Sequence, residues 1–94
     1  MTDLYENGAA EANKTRAYWA LTALKAFGRE TGQDDYFDGT LNVDAEALLE
    51  VSEDLLTAVF HLARLNHVDP EQITSAAYGH FEEEVKEEEE TTAD

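Results

Sequence analysis

The feature that most constrains the fold is a row of apolar residues in the middle of the chain. The row recurs with alternating steps of three and four positions: Leu48, Val51, Leu55, Ala58, Leu62 and Leu65. This spacing is typical of one face of an α-helix. A second apolar row lies beside it: Leu49, Leu56, Phe60 and Ala63. Because two apolar rows need two neighbours, the sequence predicts a packed helix that begins after Asp44, a good N-cap residue.

Helical signals also precede this segment. The first predicted helix covers about residues 3–30, where Asp3 and Glu6 have the spacing of a capping box and Gly32 stands where a helix often ends. Gly8 weakens the first two turns. Either a helix broken at Gly8 or a helix that starts just after it fits the sequence.

A third helix follows a short connection. Asp69 is a suitable N-cap, Pro70 suits the first helical position, and Gln72 completes the box. We expect its buried side to carry Ile73, Ala77, Phe81 and Val85. A connection of four or fewer residues makes the second and third helices antiparallel neighbours. Since no segment has the pattern of a strand, the predicted fold is all-α, a small three-helix bundle.

The chain has only 94 residues, so its own core is small. The first helix is apolar around most of its circumference, which predicts contacts on two sides. In so short a protein the second contact is expected to be another subunit, giving a homodimer through helix faces. The positions expected to be buried are Leu21, Leu24, Phe27, Leu48, Leu55, Leu62, Ile73 and Phe81.

The formal charge of −16 limits the possible partners. Six basic residues cannot build the positive face that direct binding of nucleic acid or of an anionic membrane requires. Without Cys there is no disulfide and no thiolate zinc ligand. No apolar run approaches the roughly 20 residues of a membrane span, and the first residues lack the basic start of a signal peptide, so we expect a cytoplasmic protein.

The charge is concentrated at the end of the chain. Residues 81–94 contain eight acidic residues and one basic residue, whereas residues 1–80 contain 14 and five. Like charges three and four positions apart near a helix C-terminus are unfavourable. The sequence therefore predicts a helical domain over residues 1–81 and a frayed acidic tail over residues 82–94. Such a tail either keeps the protein in solution or engages a basic partner.

Carboxylates on the second helix form one candidate site. Glu50 and Asp54 are one turn apart and Glu53 lies beside them, so these hard oxygen ligands could hold Mg²⁺. The alternative is that these carboxylates belong to a solvated polar side of the helix, which also includes Glu46, Thr57, His61 and Arg64. The three histidines are too widely spaced for a recognisable zinc set.

Several residues are candidates for contact with a partner protein. Tyr36 and Phe37 lie in a polar loop, where two adjacent aromatics either pack back onto the helices or form an exposed recognition tip. The remaining candidates for partner binding are Trp19, Glu50, Asp54 and His61.

Two stretches of the second and third helices carry a family pattern. Residues 50–56 read Glu-Val-Ser-Glu-Asp-Leu-Leu, and residues 60–69 read Phe-His-Leu-Ala-Arg-Leu-Asn-His-Val-Asp. Over about residues 46–81 the chain resembles the C-terminal half of the MazG-like all-α nucleoside triphosphate pyrophosphohydrolases. The resemblance implies a helical dimer or higher oligomer that uses Mg²⁺ to hydrolyse a nucleotide between its α- and β-phosphates, with Asp54 at the family's metal-binding Asp. The family's acidic set on the preceding helix is missing, because Thr22, Ala23 and Ala26 stand there.

The sequence thus favours three hypotheses. The first is a non-catalytic acidic helical protein that acts by binding another protein. Small proteins of phages and other accessory genomes bind host factors in this way. In one version of this hypothesis, spaced carboxylates imitate the phosphates of nucleic acid. The second is a divergent MazG-like pyrophosphohydrolase that requires Mg²⁺; the first needs no cofactor. The third is a halophilic helical protein whose charge reflects its environment.

Overall fold

The computed structural model describes residues 4–92, with side chains as far as residue 90. It contains three α-helices, α1 (Ala9–Thr31), α2 (Ala45–Leu65) and α3 (Pro70–Thr92), and a short 3₁₀ turn, η1 (Asp34–Tyr36), between α1 and α2. No strand occurs within residues 4–92. The predicted all-α three-helix fold is therefore confirmed.

The first helix begins just after Gly8. Gly8 has φ 93°, a backbone conformation that side-chain-bearing residues rarely adopt, and α1 starts at the next residue. Of the two readings of this region, the later start is the one observed; Asp3 of the proposed capping box lies outside the described residues. Gly32 ends α1 in the left-handed conformation, as predicted.

The starts of α2 and α3 also follow the sequence signals. The Asp44 carboxylate accepts a hydrogen bond from the Ala47 amide at 3.1 Å, so Asp44 is the N-cap of α2. The Asp69 carboxylate accepts one from the Glu71 amide at 3.0 Å, and Pro70 is the first residue of α3. These side chains satisfy amides that have no partner inside the helix.

The core lies between the second half of α1, the loop after it and the first half of α2. Leu21 and Leu24 of α1, Phe37 of the loop and Val51 of α2 form the buried cluster. Three half-buried side chains pack against this cluster: Phe27, Val43 and Leu55. Val51 has no exposed surface. The loop thus contributes an aromatic side chain to the core.

The same loop contains a tight turn at Asp38. The Thr40 amide and hydroxyl both donate to Asp38 Oδ1, at 2.9 Å and 2.7 Å. These hydrogen bonds hold the pKa of Asp38 below its usual value, and the bond from the Thr40 hydroxyl has the larger effect. An Asp-Gly pair is typical of such a turn, and Gly39 has φ 90°.

The second half of α3 is attached to the first half of α1 by polar contacts. Arg16 forms an ion pair with Glu84 (3.3 Å), and Asn13 donates to the Glu84 carbonyl (3.1 Å) and to the Glu88 carboxylate (2.9 Å). Arg16 also donates to the Tyr5 hydroxyl at 2.6 Å. This hydrogen bond and, to a smaller extent, the charge of Glu84 raise the pKa of Arg16.

The acidic end of the chain differs from the prediction. A frayed tail is expected from residue 82, but α3 continues as a helix to Thr92. The contacts of Glu84 and Glu88 with α1 provide the physical reason, since they oppose the repulsion among the glutamates. Helix α3 therefore continues without a break past residue 81, and residues 93–94 of the predicted tail lie outside the described residues.

The predicted burial is wrong for three of the eight positions. Leu21 and Leu24 are buried, and Phe27, Leu55 and Ile73 are half-buried. Leu48, Leu62 and Phe81 are instead 41%, 63% and 55% exposed. Of residues 56–81 only Ala63 is buried, because the core contacts involve the first half of α2 and α3 meets α1 through its second half.

No helix within the described residues is both long and apolar enough to cross a membrane.

Candidate functional site

Four carboxylates lie together on α2, and we call them the acidic strip: Glu46, Glu50, Glu53 and Asp54. All four side chains are exposed. Glu50, Glu53 and Asp54 follow Glu46 at four, seven and eight residues, which places all four on one side of the helix. The neighbouring Val51 is fully buried in the core, which fixes α2 with its polar side toward solvent.

No ion pair within residues 4–90 neutralises the acidic strip. The ion pairs found there join Lys14 to Glu11 and Arg16 to Glu84. The polar contact that the strip does have is a hydrogen bond from Gln33 Nε2 to Asp54 Oδ2 at 3.2 Å. The strip is therefore a surface of uncompensated negative charge that is open to a positively charged partner.

The predicted Mg²⁺ ligands Glu50, Glu53 and Asp54 all come from this single helix. Within the described chain, no group of three His, Cys, Asp or Glu side chains is arranged to hold a metal ion. Gln33 reaches Asp54 from another element, but through its amide nitrogen, which is a hydrogen-bond donor. Magnesium binding stays a prediction.

His61 lies on the polar side of α2, near the C-terminal end of that helix. It lines a shallow depression of about 530 Å³ together with Arg64, His67 and Asp69. The imidazole is exposed. His61 is thus accessible beside the acidic strip, as a partner-binding residue must be.

The aromatic candidates fall into two groups. Phe37 is only 4% exposed and belongs to the core, so it is not part of an exposed recognition tip. Tyr36 is 50% exposed, and it follows Gln33, whose amide contacts the acidic strip. Trp19 is 60% exposed on α1. Tyr36 therefore lies in a segment beside the strip, whereas Trp19 belongs to a different helix.

The sequence predicts a second apolar contact for α1 without placing it, and the structure shows exposed apolar side chains beside this helix. Two grooves flank α1 at Ala17. One of about 320 Å³ is lined by Phe81 and Val85 and by the polar contacts between α1 and α3, and one of about 200 Å³ is lined by Leu41 and Leu48. Ala17 lines both grooves and is exposed. Leu48, the first residue of the apolar row on α2, lines one of these grooves. The spacing of that row predicts that its side chains pack, but it does not predict what they pack against.

Comparison with known proteins finds no matching family model and no significantly similar curated protein or solved structure. The resemblance to the MazG-like enzymes stays a prediction.

Proposed function

We propose that this protein is a non-catalytic helical protein that acts by binding a basic surface of another protein. The observation that supports the proposal is the acidic strip, four exposed carboxylates on one side of a rigid helix with no ion pair among the described residues. Repeated carboxylates on a helix can occupy a groove whose Lys and Arg side chains otherwise contact phosphates. The recognised chemistry is a row of cationic side chains.

A complex held by charge complementarity has a characteristic dependence on salt concentration. Exposed charges attract each other less as salt is added, because the screening length falls from about 10 Å at 0.1 M to about 3 Å at 1 M. Binding through the acidic strip should therefore weaken steeply with salt. Charged contacts of this kind mainly accelerate association, so the loss is expected in the association rate.

The experiment compares two variants with the same net charge. One carries Glu46→Gln, Glu50→Gln and Glu53→Gln on α2, and the other carries Glu82→Gln, Glu83→Gln and Glu90→Gln on α3. All six side chains are exposed, so both variants should keep the fold. Binding to immobilised arginine-rich peptide is measured first, and proteins from the native host that bind the wild-type chain are then tested individually with both variants.

The proposal expects the α2 variant to lose at least tenfold in affinity and the α3 variant to lose less than about threefold, since only the former removes the contacting charges. Equal losses would show that net charge alone is recognised. Affinity that does not change with salt would also contradict the proposal.

A further inference from the structure

We propose that a second copy of this chain covers an apolar surface, which we call the open face. The open face is defined by Ala17 and Ala20 of α1, Leu48 and Leu62 of α2, and Phe81 of α3. All five side chains are exposed. The result is a homodimer in which the same face of each copy meets the other.

Four residues of the open face line two adjoining grooves, and Leu62 lies farther along the row of α2 that contains Leu48. Phe81 and Ala17 line one groove, and Ala17, Ala20 and Leu48 line the next, so Ala17 joins the two grooves. Leu48 and Leu62 are fourteen positions apart on α2, with Leu55 midway, and residues at intervals of seven lie along one row of a helix. The face thus extends from α3 across α1 and along α2.

The exposed area is larger than a chain of this mass keeps as a monomer. A folded monomer of 10.5 kDa exposes about 5,400 Å², whereas this chain exposes 7263 Å². Its radius of gyration of 15.2 Å likewise exceeds the roughly 12 Å of a compact chain of this length. The exposed acidic end of α3 accounts for part of this excess of about 1,800 Å², which is of the same order as the roughly 1,000–2,500 Å² that each subunit of an obligate homodimer buries.

The distribution of charge favours a second copy over a basic partner at this face. The five side chains that define it are uncharged, and the charged side chains of Arg16 and Glu84 beside Phe81 are already paired with each other. Glu53 of the acidic strip and Leu62 of the open face are nine residues apart, which is two and a half helical turns, so they lie on opposite sides of α2. Two copies can therefore join through a twofold axis while their acidic strips face away from each other.

Salt separates this proposal from binding of a basic partner. Each copy carries a formal charge of −16, and screening of that repulsion strengthens the association of two like-charged chains. Binding to a basic surface weakens with salt. The two proposals use different side chains of α2, so either can fail without the other.

The test is sedimentation equilibrium of the full chain at micromolar concentrations in about 0.05 M and about 1 M NaCl. The expected result is a dimer of twice 10.5 kDa whose dissociation constant falls as salt increases. A chain that stays monomeric at both salt concentrations overturns the proposal.

A matched pair of variants locates the interface. Leu62 and Leu49 are both leucines of α2, 63% and 62% exposed, but only Leu62 belongs to the open face. Leu62→Gln should raise the dissociation constant at least tenfold, and Leu49→Gln less than about threefold. Phe81→Gln is a second variant and should act like Leu62→Gln.

Circular dichroism provides the control for folding. Because the substituted side chains are exposed, all three variants should keep the helical content of the wild-type chain. An equal effect of Leu49→Gln, or no effect of Leu62→Gln and Phe81→Gln on a folded dimer, would place the interface elsewhere and overturn the proposal.

Discussion

Two helical glycines show how the same residue type can have opposite roles. Gly28 of α1 lies against η1: a Cβ atom built there would be 2.9 Å from the Asp34 backbone nitrogen. Gly79 of α3 has no neighbour within 4 Å of such an atom. Glycine at position 28 therefore permits a close backbone approach, whereas glycine at position 79 only weakens its helix.

Alanine substitution should separate these roles. Ala is the better helix former by about 1 kcal/mol, so Gly79→Ala should raise the free energy of unfolding by about that amount. Gly28→Ala should lower it by about 1–2 kcal/mol, because the backbone of η1 cannot yield as a flexible side chain would. Urea denaturation measures both changes. A gain in stability from Gly28→Ala would mean that η1 does not pack on α1 as described.

Among the three α-helices, α3 has the least apolar attachment. No described residue of α3 is buried, and its position on α1 is fixed by Asn13 and Arg16. The Arg16 and Glu84 side chains are 26% and 29% exposed, so their ion pair is partly shielded from solvent. The Lys14–Glu11 pair within α1 is 63% and 57% exposed. Only the first pair is expected to stabilise the fold.

Replacing each base with Met tests this difference. Arg16→Met keeps the length of the aliphatic part of the side chain but removes the ion pair and the hydrogen bonds to Asn13 and Tyr5. This change should lower the free energy of unfolding by about 1–2 kcal/mol. Lys14→Met should change stability by less than about 0.5 kcal/mol. Hydrogen exchange of the α3 amides is the sharper readout, because α3 should lose protection before α1 and α2. Equal protection of α3 in the two variants would show that other contacts hold the helix.

Across the whole molecule, net charge opposes compaction. The formal charge of −16 is spread over a small body, and the acidic strip and the glutamates of α3 are mostly exposed. Repulsion among exposed charges lowers the free energy of unfolding and is reduced by salt.

We therefore expect stability to rise as salt increases from about 0.05 M to about 0.5 M. Urea denaturation in the Leu62→Gln background measures this without a contribution from self-association. Adding Glu46→Gln, Glu50→Gln and Glu53→Gln should make the rise smaller. Stability that falls with salt would contradict the expectation. A circular dichroism spectrum without helix below molar salt would instead support the hypothesis of a halophilic protein.

Much of the fold could be predicted because the signals are local. Asp44, Asp69 with Pro70, and Gly32 act on amides or carbonyls within one turn of their own position, so their roles follow from the sequence. The acidic strip could be predicted for the same reason, since i and i+4 neighbours are fixed by helix geometry. Magnesium binding is different, because it depends on which ligands other elements bring to Glu50, Glu53 and Asp54.

The sequence by itself determined the three helices, where α2 and α3 begin, and which side of α2 carries charge, because capping and periodicity act within a few residues. Only the tertiary structure decided that Phe37 is buried, that the acidic end of α3 packs on α1, and that Leu62 and Phe81 remain exposed. Periodicity shows that a row of side chains is suited to packing. Whether another element of the same chain reaches that row depends on the lengths and directions of all three helices together.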